Sequence, residues 1–198
     1  MKIAVFGTGY VGLVQGAVLA DARYAVVGGN NSEGGYLATA HLLQAGARHI
    51  AFLGDLKYPE VKMRHAGYLR AHRELGIKPD KKLCSPHLYQ AKEVAHTLGN
   101  WIDQKIAFDA VFATSDVAAA NAIAALGMRN IRIPRQVQVV GYDDVPLSVQ
   151  IHPQLSTVHQ PINLAAEAMV ELLRERMAGG PSRAVVQPTH LIRRSSTR

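Results

Sequence analysis

Short, continuous apolar runs alternate along this chain with longer stretches in which apolar positions recur every three or four residues. Continuous runs mark strands buried on both faces, and the three-to-four spacing marks helices with one buried face. The runs predict strands at Lys2–Phe6, Tyr24–Gly28, His49–Leu53, Ala110–Ala113 and Val137–Gly141, with a weaker one at Leu83–Leu88. Short extended pieces are expected at Ser156–His159 and Thr189–Arg194. Helices are predicted over Gly9–Leu19, Gly35–Gln44, Val61–Leu75, Val117–Leu126 and Ile162–Met177, and one more carries Ala91, Val94, Leu98, Trp101 and Ile102. In Val61–Leu75 the spacing groups Val61, His65, Tyr68, Leu69, His72 and Leu75 on one face. In Ile162–Met177 the face to be buried holds Ile162, Ala165, Ala166, Met169, Leu172 and Leu173. Gly46, Gly76 with Pro79, and Gly179-Gly180-Pro181 stop helices. Gly28–Gly35, reading GGNNSEGG, is a turn-rich junction. Strands separated by helices of this length make βαβ units, so the expected fold is α/β with a mostly parallel sheet flanked by helices.

Composition narrows the class. Of 198 residues, 48% are hydrophobic and 19% charged, the balance of a globular protein with a sizeable core. The single cysteine, Cys84, excludes an internal disulfide and fits a reducing compartment. No apolar run approaches the roughly 20 residues of a membrane span, and one lysine followed by glycines is a poor signal peptide. A cytoplasmic protein with no membrane partner is expected. The net charge of +7 suits either a nucleic-acid partner or a generally basic surface. The second reading is preferred, because the cations are scattered except for Arg193, Arg194 and Arg198, and no helix carries a basic stripe.

The first predicted strand runs into Gly7-Thr8-Gly9-Tyr10-Val11-Gly12 and then a helix. That is the context of a dinucleotide fingerprint. The first glycine allows the turn, the second lets backbone approach a pyrophosphate, and the third lets helix and strand pack closely. MKIAVFGTGYVGLVQGAVLAD resembles the start of UDP-glucose dehydrogenases, which implies NAD held by Gly7, Gly9 and Gly12. The acidic ribose ligand expected about 20 residues later is missing. The next strand ends in Gly28-Gly29-Asn30, and Glu33 falls inside the turn. Cys84 sits in KLCSPHLY, unlike a glycine-rich nucleophile loop. NAD is therefore a secondary expectation beside no cofactor at all.

The remaining chain carries a second set of motifs: NNSEGGYLATAHLLQAGARHIAFLGD, MRHAGYLRAHRELGI, FDAVFATSDVAAANAIAAL, IPRQVQVVGYDDVPLSVQIHPQLSTVHQPI and PTHLIRRSSTR. In order and spacing they resemble the effector-binding domain of LacI/GalR-type transcriptional regulators. The domains expected are therefore 1–22, a dehydrogenase-like strand, glycine loop and helix, and 23–198, a partial effector-binding domain. The resemblance implies a periplasmic-binding-protein-like architecture of two Rossmann-like lobes, a sugar or other small metabolite between them, and a homodimer. Much of the first lobe and the helix-turn-helix are not recognisable, so direct DNA binding by this chain is not expected. A dehydrogenase-related protein and a chimeric scaffold without activity stand as alternatives.

Candidate ligand residues follow from strand order. Asp55, Ser115 with Asp116, and Asp143 with Asp144 all stand at the carboxyl ends of predicted parallel strands, where open α/β sheets bind ligands. Carboxylates accept bonds from hydroxyls, and Arg64 can donate to ring or hydroxyl oxygens, which suits a polyol. The family resemblance implies effector contacts for Arg64, Ser115 and Asp143, with Ser115 standing where the family often has asparagine. Each has a structural alternative: Asp55 and Asp116 as helix caps, Arg64 as a solvated helix residue, Asp144 as a turn brace. His41, His65, His72, His159 and His190 lack metal-ligand spacing, and no Ser/His/Asp set suggests nucleophilic catalysis, so neither a metal nor an enzyme is expected.

Overall fold

A computed structural model describes residues 26–85 and 90–198, which form two compact units. Lys2–Phe6, Gly9–Leu19 and the glycine loop lie outside the described residues, as does the second half of Leu83–Leu88.

The larger unit holds residues 31–159 and 190–198. Its elements are α1 (Asn31–Gln44), β2 (Ile50–Leu53), α2 (Pro59–Glu74), a 3-10 turn at Lys81–Leu83, β3 (Cys84–Ser85), α3 (Ala91–Asp103), β4 (Ala110–Ala113), α4 (Asp116–Met128), β5 (Gln138–Asp143), α5 (Leu147–Gln150), β6 (Ser156–His159) and β8 (His190–Ile192). Six strands pair in the order β3-β2-β4-β5-β6-β8. All neighbours are parallel except β6 with β8. Alternate strand residues feed two cores. Ala51, Leu53, Val111, Ala113 and Val139 pack with α3 and α4. Ile50, Phe52, Ala110, Phe112 and Val140 pack with α1 and α2. A sheet covered on both faces explains why its strands read as continuous apolar runs.

Three details depart from the sequence reading. α1 starts at Asn31, so Asn31–Gly35 of the presumed turn-rich junction is helical. The reason is the crossing of α1 and α2. A Cβ on Gly35 would overlap the Arg64 carbonyl, and one on Gly67 would overlap the Ser32 carbonyl. The glycines are there for backbone-to-backbone approach, and the helix absorbs their propensity cost. The buried face of α2 is rotated from the predicted one. Leu69 and Leu75 are exposed, while Arg64, Gly67 and Ala71 join Val61, Tyr68 and His72 inside. Finally, Ala184–Gln187 forms a strand that the sequence reading did not include.

Of the smaller unit, residues 26–30 and 160–189 are described. Its described part contains β1 (Val26–Gly29), α6 (Ile162–Met177) and β7 (Ala184–Gln187). β1 and β7 pair in parallel from Val26↔Ala184 to Gly29↔Gln187. α6 buries only Ala165 and Leu172 fully, with Ala168 beside them, against Val27 and Val185. Met169 and Leu173 of the predicted buried face are exposed, because a described ribbon of two strands covers only a narrow stripe.

Candidate functional site

The carboxyl ends of β2, β4 and β5 lie side by side through their parallel registers. They present Asp55, Thr114 with Ser115 and Asp116, and Asp143 with Asp144 at one edge of the larger unit. α2 brings Arg64 to the same edge. Arg64 is not a solvated helix residue: it is 4% exposed. Its Nε donates to Asn31 Oδ1 at 2.8 Å and its Nη1 donates to the Thr114 carbonyl. Its guanidinium carbon stands 3.7 Å from the Tyr142 ring centroid, and its Nη2 lies 3.9 Å from Asp143 Oδ1. A planar cation is thus held by three elements, with one edge toward a carboxylate. Burial pushes the Tyr142 phenol up to about 12, although the nearby arginine pulls it down. The phenol stays neutral.

Asp143 and Asp144 both occupy the left-handed region, with φ of 110° and 58°. Two consecutive non-glycine residues there are unusual and need surrounding structure to hold them. The supports are visible. Asp116, 1% exposed, accepts the Thr157 hydroxyl through Oδ1 and the Val145 N–H through Oδ2 at 2.8 Å. Burial pushes Asp116 up to about 7; its two hydrogen bonds oppose that shift, and the charges of Asp143 and Asp144 add to it. Asp144 accepts from Arg194 Nη2 at 2.7 Å, His159 Nδ1 at 2.9 Å and Ser148 Oγ at 3.3 Å. Burial works to raise Asp144, but the bonds from Arg194 and His159 prevail and hold it below the usual carboxylate range.

The structure brings Arg64, Asp143 and Asp116 together. Ser115 takes the first position before α4, where its Oγ accepts the Ala118 N–H at 3.2 Å as a helix cap. Asp55 accepts the Lys57 N–H at 3.0 Å and pairs with its ammonium at 2.6 Å, beyond the end of β2. Gly7, Gly9 and Gly12, the proposed NAD loop, lie outside the described residues. Sequence reasoning did not select Asn31, Thr114, Tyr142, Thr157 or Arg194. A carbonyl and a π face leave no motif, and Asn31 was masked by its glycine-rich surroundings. The buried Arg64 did have a signal: it stands three residues after Val61 and four before Tyr68, within the apolar stripe. Among the described residues no group of three metal-ligating side chains converges, and no helix is long and apolar enough to cross a membrane.

A family model described as periplasmic binding protein-like domain matches residues 39–197. HTH-type transcriptional repressor PurR of Pasteurella multocida is 30% identical over 174 residues, which cover 86% of this chain and 52% of that protein. The repressor of the same name from Vibrio atlanticus is 34% identical over 149 residues, covering 75% and 45%. The chain therefore spans about half the length of these curated relatives. Among solved structures, transcriptional regulator CelR in complex with cellobiose aligns with a TM-score of 0.82 and 30% identity, covering 88% of this chain and 54% of that one. A LacI-type regulator from Alkaliphilus metalliredigens, complexed with D-xylulofuranose, aligns at 0.78 and 28%, covering 88% and 66%.

Proposed function

The chain belongs to the periplasmic binding protein-like domain family in its LacI/GalR-type form, among regulators rather than enzymes, and from that premise we propose that it binds a small polyhydroxylated effector at the carboxyl edge of the six-stranded sheet. The observation that carries this reading is the buried Arg64, fixed by Asn31, Thr114 and Tyr142 with one edge toward Asp143. A guanidinium beside a carboxylate offers both donors and acceptors, the combination a sugar hydroxyl pair needs. Asp143 and Arg64 touch the effector in this proposal. Ser115, Asp116 and Asp55 shape the edge on which it sits. The strained backbone at Asp143 fits a site whose geometry is set by its surroundings rather than by local preference. That two similar structures hold cellobiose and D-xylulofuranose supports a sugar as effector.

Effector binding regulates only if its affinity differs between two arrangements of the protein. DNA control through a helix-turn-helix, a homodimer and a cytoplasmic location are the accompanying proposals for the whole protein. So is the division into a dehydrogenase-like segment at 1–22 and the effector-binding domain at 23–198. The test is a thermal-shift screen with sugars, sugar phosphates and NAD. A ligand at a hundredfold its Kd stabilises by about 2.7 kcal/mol. A midpoint rise with a sugar that is lost in Asp143→Ala and Arg64→Met supports the proposal. A rise with NAD alone would refute it.

A further inference from the structure

The edge opposite the candidate site gathers cations that are scattered in the sequence. β2, β4 and β5 begin at that edge, and β8, antiparallel to β6, ends there. Arg48 precedes β2, Lys105 precedes β4, Arg132 and Arg135 precede β5, and Arg193 and Arg198 follow β8. All six are exposed. None forms an ion pair with a described carboxylate. The acids at this edge are few. Asp103 is matched by Arg129 at 2.6 Å. Asp109 accepts the backbone N–H groups of Arg48 and His49 at 2.8 to 3.1 Å. At the β3 end, Asp80 lies among Lys78, Lys81 and Lys82. At this edge the cations therefore outnumber the carboxylates, whereas the carboxylates of the opposite edge stand beside Lys57, Arg64 and Arg194.

Two of these cations are pre-positioned. Arg48 Nη1 donates to the Ala47 and Leu43 carbonyls at 2.7 and 3.2 Å. Arg132 Nε donates to Gln136 Oε1 at 3.2 Å. Bonds to neutral oxygens order the side chains without cancelling their charge, so less freedom is lost when a partner binds. With strands about 4.8 Å apart, six of them make an edge about 24 Å long. That is too long for one small anion and suits a linear polyanion. A specific protein interface needs a central apolar anchor. Here the exposed Leu75 and Met128 follow or close α2 and α4, which cover opposite faces of the sheet, so no apolar centre spans the row. Phe108 packs against Trp101, with ring centroids 6.0 Å apart, and offers no free stacking platform for a base.

We propose that this amino-terminal edge docks the phosphate backbone of duplex nucleic acid without reading its sequence. Five of the six cations are arginines, whose planar fork matches phosphate oxygens. The contact needs no helix in a groove and is independent of the effector site.

The test is fluorescence anisotropy of the full chain with a labelled duplex of arbitrary sequence, titrated at several salt concentrations. With four to six phosphates neutralised, the log–log salt slope is expected near −4 to −5, and affinity falls at least about a hundredfold between 50 and 200 mM salt. Arg132→Glu with Arg135→Glu should weaken binding at least about tenfold and flatten the slope. The milder pair Arg193→Gln and Arg198→Gln should flatten it by about two contacts. Lys92→Glu, at the start of α3, should leave binding unchanged. Unaltered circular dichroism establishes that the variants fold. No binding at 50 mM salt, equal loss in Lys92→Glu, or tighter binding to polyglutamate than to the duplex would overturn the proposal, the last in favour of an acidic protein partner.

Discussion

Adding one methyl group at Gly67 should unfold the protein more easily, whereas adding one at Gly127 should not. Both glycines are in helices, and alanine is intrinsically favoured over glycine there by about 1 kcal/mol. At Gly127, the next-to-last residue of α4, a Cβ meets nothing within 4 Å, so no clash opposes that gain, of at most about 1 kcal/mol. At Gly67 the new carbon overlaps the Ser32 carbonyl and crowds the Tyr36 N–H and Gly35. All three are backbone, so no side chain can swing away. Overpacking of this kind costs about 1–3 kcal/mol, and a backbone clash belongs at the upper end. Set against the propensity gain, Gly67→Ala should lose about 1–2 kcal/mol, and the two variants should differ by about 2–3 kcal/mol. For a chain of this length that corresponds to a Tm gap of about 4–12 °C. Urea unfolding followed by circular dichroism reads the difference. The effect should also reach the site. Relieving the clash drives α2 from α1, and Arg64, less than one turn before Gly67 on α2, leaves its bonds to Asn31 and Thr114. A Gly67→Ala variant as stable as Gly127→Ala would refute the claim that these helices meet backbone to backbone.

Four further outcomes follow from the same geometry. Because Asp116 is raised to about 7 in the fold against about 4 in an unfolded chain, its contribution is fully present at low pH and is lost as pH climbs through about 7. Urea unfolding should show the parent losing stability over that interval, by at most about 4 kcal/mol, relative to Asp116→Asn. Tyr142→Phe removes a buried hydroxyl that has no hydrogen-bond partner among the described residues and keeps the ring under Arg64. Its unfolding free energy should match the parent's or exceed it by up to about 1 kcal/mol. Asp144→Ala strands Arg194 and His159 and should cost about 2–3 kcal/mol in the same assay. Burial raises the Cys84 thiol above its ordinary value, so native protein should react with a disulfide reagent more slowly than urea-unfolded protein at pH 8.

The strands were legible because they are covered on both faces. Ala110–Ala113 has the bounds its apolar run predicts, the short extended piece expected at Ser156–His159 is a strand with those bounds, and the helix Ile162–Met177 also matches. What misled was chemistry that a pattern does not encode. Asn31–Gly34 read as part of a turn-rich junction, yet they are helical; Gly35 is where α1 meets α2, and Gly34 is where α1 meets the Tyr142 ring of β5. Leu69 and Leu75 read as core because leucine usually is, yet the buried stripe passes through Arg64 instead. Of the candidate site, the acidic residues were visible as strand-end positions. Their division of labour was not, since nothing in Thr-Ser-Asp tells which side chain caps a helix and which holds the next loop. Only the fold distinguishes Ser115, capping α4, from Asp116, bracing the turn after Asp143.

The charge distribution shows the same dependence on topology most sharply. Read along the chain, the cations form no cluster before the tail, and a diffuse basic surface was the natural expectation. Parallel strands change the arithmetic. Every crossover returns the chain to the same edge, so residues just before successive strands become neighbours, however far apart they are in sequence. Arg48, Lys105 and Arg135 are separated by whole βα units yet stand at adjoining strand starts. By the same rule Asp55, Asp116 and Asp143 meet at strand ends. The sheet direction therefore gathers residues placed before strands at one edge and residues placed after them at the other, and this sequence puts most of these carboxylates after and most of these cations before. Charge-reversing Arg135 should then disturb polyanion binding and leave sugar binding intact, while Asp143→Ala should do the opposite. If either substitution abolished both, the two edges would not be the independent surfaces that this topology makes them.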